Sequence, residues 1–228
     1  MMEVNVIYTG DCLEIMSEKI INNSIDLIVT DPPYFIPAKH YETRRNFRRN
    51  FGDLGILESF FGMFFKELER ILKEDGSFYM FCNGQTYPLF FYYSYFFTKS
   101  TRPIIWNKKT AYLGYGWRHQ HEIILWGEMP NARKIETGDG DIINCKTVPV
   151  NERKHPAEKP IDLIGKLIKK SSKENDIICD PFMGSGTTIL AAKKLNRRYI
   201  GIEINPQYML IAENKIDEGN QDLFVNVK

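Results

Sequence analysis

Two short stretches of this chain carry residue types that could do chemistry. The first is "TDPPY", Thr30 to Tyr34. Two prolines after an acid fix φ at about −65° and remove two backbone donors. The Asp31 carboxylate and the Pro32 carbonyl then form a stiff cluster of acceptors, with Pro33 rigidifying the turn and Tyr34 beside it. The second stretch is "DPFMGSGTT", Asp180 to Thr188. Gly184-Ser185-Gly186 lets a ligand approach the backbone closely. Glu203 lies 23 residues beyond Asp180, near the roughly 20-residue offset of the acid that takes ribose hydroxyls in nucleotide-binding folds. The lysine of a phosphate-cradling GxxxxGK[ST] loop is missing, as is the third glycine of the NAD fingerprint. With Asp180 ahead of the turn the surroundings are anionic and suit a nucleoside that carries positive charge. S-adenosylmethionine, with its sulfonium and ammonium, is such a ligand.

These residues need elements to hold them. Ile25 to Thr30 reads as a strand ending at Asp31, and its run Leu27 to Thr30 is apolar and β-branched, as in a parallel strand covered on both faces. "NDIICD" (Asn175 to Asp180) is a second strand ending in an acid. The glycine turn enters a helix from Ile189 to Leu195, "RRYIGIEI" (Arg197 to Ile204) is the next strand, and Asn205 caps a helix with Pro206 in its first position. This is a βαβ unit. In open α/β sheets ligands collect outside the carboxyl ends of the strands, so Asp31 and Asp180 are expected to share one edge.

Upstream, Asn5 to Tyr8 reads as a short strand and Thr9 to Met16 as a turn entering a helix, with Asp11 near its amino end. Residues 36 to 56 lack a sustained period and read as a loop. Leu57, Phe60, Phe61, Phe64, Phe65, Leu68, Ile71 and Leu72 recur at helical spacing, with Gly76 placed to stop the helix. Ser77 to Cys82, Arg102 to Trp106 and His121 to Gly127 read as strands. Tyr87 to Phe97 reads as a buried helix or a strand edge, and residues 128 to 154 as an excursion from the sheet. Pro160 opens an amphipathic helix through about Lys170.

The chain has 228 residues, 43% of them hydrophobic and 26% charged, which fits one globular domain with an inserted lobe and excludes general disorder. A net charge of +1 does not announce a polyanion partner, but the distribution says more. Lys39, Arg44, Arg45, Arg48 and Arg49 closely follow Asp31. Lys99 to His121 holds Lys99, Arg102, Lys108, Lys109 and Arg118 and no acid. Both segments are poorly periodic, as binding loops are. The four cysteines form no CxxC pair, which argues against a zinc module or disulfide framework and fits a reducing compartment. His119 and His121 lack an obvious third ligand, so no metal is expected. Neither a signal-type start nor a membrane-length apolar run is present, so a cytoplasmic setting without membrane contact is expected.

"TDPPYF" (Thr30 to Phe35), "KHPAEKP" (Lys154 to Pro160) and "DPFMGSGTT", in that order, resemble the amino-methyltransferases of DNA in the beta-class arrangement, where the catalytic motif precedes the cofactor motif. "TGDC" (Thr9 to Cys12) is similar to a fourth family element. The motifs span most of the chain. The resemblance implies a single Rossmann-like methyltransferase domain over residues 1–228, with a seven-stranded sheet in circularly permuted motif order and helices on both faces. It further implies a small inserted target-recognition segment near 98–150 and a DNA-contacting loop near 36–56. Catalysis would fall to Asp31, Pro32, Pro33 and Tyr34, with Tyr34 stacking on a flipped base. Cofactor contacts would come from Asp11 and Cys12, from His155 and Lys159, from Asp180, Pro181, Phe182, Gly184, Ser185, Gly186 and Thr187, and from Glu203 and Asn205. DNA contacts would come from Lys39, Arg44, Arg45, Arg48, Arg49, Lys108, Lys109 and Arg118.

The reaction implied is site-specific methyl transfer from S-adenosyl-L-methionine to an exocyclic amine of double-stranded DNA. An Asp at the first catalytic position usually accompanies adenine in this family, whereas Phe35 stands where adenine enzymes often show Asn. Three rivals stay open: transfer to the cytosine amine, a non-catalytic DNA-binding protein on the same fold, and an RNA or protein methyltransferase with a related tetrapeptide. A short recognition segment fits a short target, a homodimer or a contributing partner, and a cognate restriction endonuclease is a further candidate partner.

Overall fold

The computed structural model describes residues 2–33, 54–111, 116–133, 138–149, 151–153 and 158–225. In chain order the elements are β1 (Val6–Thr9), α1 (Cys12–Lys19), β2 (Ile25–Thr30), α2 (Leu54–Ile71), β3 (Leu72–Cys82), α3 (Tyr87–Tyr95), β4 (Ser100–Asn107) and β5 (His121–Glu128). They continue with β6 (Ile142–Asn144), α4 (Ile161–Ser171), β7 (Ile177–Asp180), α5 (Thr187–Lys194), β8 (Arg198–Glu203) and α6 (Pro206–Val225). The strands form one sheet in the order β1-β8-β7-β2-β3-β5-β4-β6. β5 alone among them runs against its neighbours.

Every residue of β2 is buried because both sheet faces are covered. Alternation along the strands sorts side chains to two cores. Ile28, Phe78 and Met80 join Met16 of α1, the aromatic stripe of α2 and Phe90 of α3. Leu27, Val29, Tyr79 and Phe81 join Leu163, Ile164, Leu167 and Ile168 of α4 and Ala191 and Ala192 of α5. Helices thus lie on both faces.

Several local expectations are corrected. α2 begins at Leu54, inside the stretch read as a loop, and ends at Ile71, so Leu72 already pairs with Ile25 in the sheet. Gly76 does not stop the helix. It sits within β3, where an added Cβ would lie 2.9 Å from the Asp26 carbonyl oxygen and 3.0 Å from that of Lys73. The sheet has eight strands rather than seven, because the excursion after residue 128 returns as β6, parallel to β4. The aromatic run is a helix, α3, which buries Phe90 and Ser94 but exposes Tyr92 and Tyr95. α5 starts at Thr187, two residues before the expected Ile189. Among the described residues no helix is long and apolar enough to cross a membrane.

Candidate active site

Five adjacent parallel strands, β1, β8, β7, β2 and β3, point their carboxyl ends to one edge, and acids collect there. β7 and β2 are neighbours, and the Thr30 hydroxyl donates to Asp180 Oδ1 at 2.8 Å. The Phe182 N–H donates to the same oxygen at 3.1 Å, and the Thr188 hydroxyl also bonds this carboxyl. Burial pushes the Asp180 carboxyl up to about 7; these hydrogen bonds pull against the rise and the nearby Asp31 charge adds to it.

Beyond β7 the chain makes the glycine turn. Gly184 (φ +52°) and Gly186 (φ +78°) take left-handed conformations that suit glycine. A Cβ on Gly186 would lie 2.9 Å from the Ala212 Cβ of α6, so the turn packs against that helix. The Gly184 N–H donates to Glu203 Oε2 at 2.9 Å and the Asn205 N–H to Oε1 at 2.8 Å, which fixes the acid at the end of β8 against the turn. Burial raises the Glu203 pKa, and those amides work against the rise. Asp11 caps α1, accepting from the Leu13 N–H at 2.8 Å and the Glu14 N–H at 3.3 Å, while burial pushes the Cys12 thiol up to about 12. Pro181, Ser185 and Thr187 are buried, and Phe182 packs on Phe60 and Phe64 of α2.

Asp31 has a cation against it. Lys159 Nζ donates to Asp31 Oδ2 at 2.5 Å and lies 3.5 Å from Glu122 Oε1, with the Phe81 ring centroid 4.8 Å away. Burial disfavours the ammonium, but the carboxylates of Asp31 and Glu122 outweigh it and raise the Lys159 pKa. Lys108 Nζ pairs with Glu122 Oε2 at 3.3 Å and lies over the Trp106 ring.

The structure therefore brings Asp31, Lys159, Asp180, the glycine turn and Glu203 to one edge, with Asp11 at the end of β1. Lys159, grouped by sequence with the cofactor element, touches Asp31. Lys108, read as a DNA contact, is largely buried against Glu122, whereas Lys109 and Arg118 are exposed. Glu122 was missed, and so was Trp117, whose side chain is fully exposed on the connection from β4 to β5. "HEIILWG" reads as a strand with an acid near its start, and nothing in the sequence says that this strand runs antiparallel and so starts at the active edge. Tyr34, Phe35, Lys39, Arg44, Arg45, Arg48, Arg49 and His155 lie outside the described residues.

A family model described as DNA methylase, of the N6/N4 methyltransferase type, matches residues 25–214. The chain belongs to this DNA methylase family. It is 32% identical, over 94% of its length and 69% of the relative's, to the type II methyltransferase M.HinfI of Haemophilus influenzae. The solved complex of M1.HpyAVI with S-adenosylmethionine superposes with a TM-score of 0.70 at 26% identity, covering 92% of this chain and 98% of that one. The cytosine-N4-specific PvuII DNA methyltransferase shares the fold, with a TM-score of 0.75 at 19% identity and coverage of 94% and 87%. This DNA methyltransferase uses S-adenosyl-L-methionine. Its edge suits that cofactor: the left-handed glycines of the turn let a ligand approach the backbone closely, and the Glu203 carboxylate is fixed beside them by the Gly184 and Asn205 N–H groups.

Proposed function

We propose that this DNA methyltransferase acts on the exocyclic amine of adenine at a specific site in DNA. The observation that carries the reading is the Thr30–Asp180 hydrogen bond, which couples the acceptor motif and the cofactor motif across 150 residues of sequence. An exocyclic amine is a poor nucleophile because its lone pair is delocalised into the ring. Asp31 Oδ and the Pro32 carbonyl accept its two N–H bonds, favour a pyramidal nitrogen and aim the lone pair at the sulfonium methyl. With S-adenosylmethionine bound, the nitrogen–carbon bond would form as the carbon–sulfur bond breaks, the neutral thioether would leave, and the excess amine proton would pass by way of the Asp31 carboxylate to water.

Glu203 would hold the ribose of the cofactor, the backbone of Phe182 to Gly186 would meet its methionine part, and Asp11 would face its adenine. Tyr34 stacks on the extruded base, which recovers about 1–3 kcal/mol of the cost of flipping. The connection from β4 to β5 springs from the same edge as Asp31. Lys109 and Arg118 on it meet phosphates, and Trp117 offers an aromatic face to the opened duplex. The family resemblance of an aspartate at position 31 supports adenine over cytosine.

Incubation of the protein with labelled S-adenosylmethionine and DNA, followed by digestion to nucleosides, tests this reading. Label in N6-methyladenine is the expected result. Label on the cytosine amine overturns the base assignment, and cofactor binding without transfer to any DNA overturns the catalytic reading.

A further inference from the structure

We propose that Lys159 is a positioning residue for Asp31, held in that task by Glu122, and not a cofactor ligand. The inference rests on the methyl-transfer reading. Sequence spacing places Glu158, Lys159 and Pro160 in one element, but the structure splits it. Glu158 Oε1 accepts from Lys215 Nζ at 2.5 Å, and Lys215 also donates to Thr187 Oγ1 at 3.0 Å, at the first turn of α5. Lys159 goes to Asp31 and Glu122 instead. Neighbouring side chains diverge in this way on extended backbone, and Pro160, at φ −61° and ψ 131°, continues that conformation into the cap of α4.

The described residues around Lys159 restrain it. Its side chain is 10% exposed, its ammonium lies over the Phe81 ring at the end of β3, and its backbone enters α4, where the Ile164 N–H donates to the Pro160 carbonyl. A lysine so confined sets the plane of the carboxylate it grips at Oδ2, which decides where the other acceptor lobe meets an incoming amine. Glu122 then has a reason to be acidic. It faces Lys159 with one oxygen and Lys108 with the other, so two acids and two lysines form one chain of ion pairs from Asp31 to the root of the β4–β5 connection. Among the described residues, the Asp180 carboxyl and the buried Cys82 thiol also sense the Asp31 charge. Lys159 is thus a cation set directly against Asp31 at an edge where acids collect.

The test compares the full-length wild type with Lys159→Gln, Lys159→Arg and Glu122→Gln. It measures kcat, KM for DNA, cofactor affinity by titration with S-adenosylmethionine, and the pH profile of kcat. Lys159→Gln is expected to lower kcat about 100-fold while cofactor affinity stays within about twofold. Its acid limb should move to higher pH, because Asp31 loses the charge that favours its ionised form. Lys159→Arg should restore most of the rate, and Glu122→Gln, which weakens the hold on Lys159 and on Lys108 but leaves the Lys159–Asp31 contact, should cost about 10-fold in kcat. If Lys159→Gln keeps its kcat and loses cofactor affinity, Lys159 is a cofactor ligand and the proposal is overturned. An unmoved acid limb in a folded Lys159→Gln protein also overturns it. A wild type that methylates no DNA defeats the functional reading itself, whereas an active wild type beside an equally active variant defeats the positioning claim alone.

Discussion

Asp26 and Asp31 stand near opposite ends of the same strand, β2, and their surroundings are opposed in kind. Asp26 is buried, with Lys73 Nζ and Arg133 Nη2 each 2.7 Å from its Oδ1 and the Ile177 N–H donating to Oδ2 at 2.9 Å. Arg133 also reaches Asp75 at 2.7 Å and Asp176 at 2.5 Å, so one guanidinium pins β2, β3 and the approach to β7. Burial works against that guanidinium, and its acidic partners outweigh it, which keeps it firmly charged. At the carboxyl edge, Asp180 and Glu203 are met by backbone N–H groups and, at Asp180, hydroxyls, and Asp31 shares its lysine with Glu122. One end of the sheet closes its charges on one another and gains rigidity. The other, among the described residues, meets Asp180 and Glu203 with backbone N–H groups and hydroxyls rather than cations, and burial raises the pKa of both.

Two substitutions sharpen this contrast. Arg133→Ala should cost about 2 kcal/mol of stability in a denaturant titration, because it leaves the buried Asp26 with Lys73 as its remaining cation and unties two further acids. Methyl transfer per folded molecule should not change. A smaller effect of opposite sign is expected at the active edge. Asp180 has a pKa of about 7 in the folded protein against an ordinary 3.8, so its ionisation costs stability above pH 7, and that cost fades as pH falls toward 3.8. Asp180→Asn keeps an acceptor for Thr30 and Phe182 and removes the charge. It should raise the thermal midpoint at pH 8 by several degrees, with a gain that shrinks steadily toward pH 4, while cofactor affinity falls.

What could be read in the sequence was whatever local chemistry writes. The apolar run of β2, the phenylalanine stripe of α2, the Asn205 cap and the glycine turn each follow from contacts between near neighbours, and each stands where expected. Element boundaries were less legible. The first turn of α2 shows Ile56 to solvent and carries no acid, so nothing in it announces a helix start. The three residues of β6, exposed, buried and exposed, are too few to show a period. Long-range partners were not legible at all. Lys159 meets Asp31 across 128 residues, and Glu122 and Arg133 find their places only because β5 runs antiparallel to the rest. A charged residue at a strand end reveals its type in the sequence; the sheet order decides whom it meets.

The division of labour along β2 is tested most directly by the rate of methyl transfer per folded molecule in Asp31→Asn and Asp26→Asn proteins, measured side by side. Asp31→Asn should transfer at least about 100-fold more slowly than wild type with its folding intact, because a positioned acceptor is lost where charge develops. Asp26→Asn should unfold more easily yet keep a rate within about twofold of wild type. Equal losses of rate in the two variants, or an Asp31→Asn protein that methylates DNA at the wild-type rate, would contradict the account.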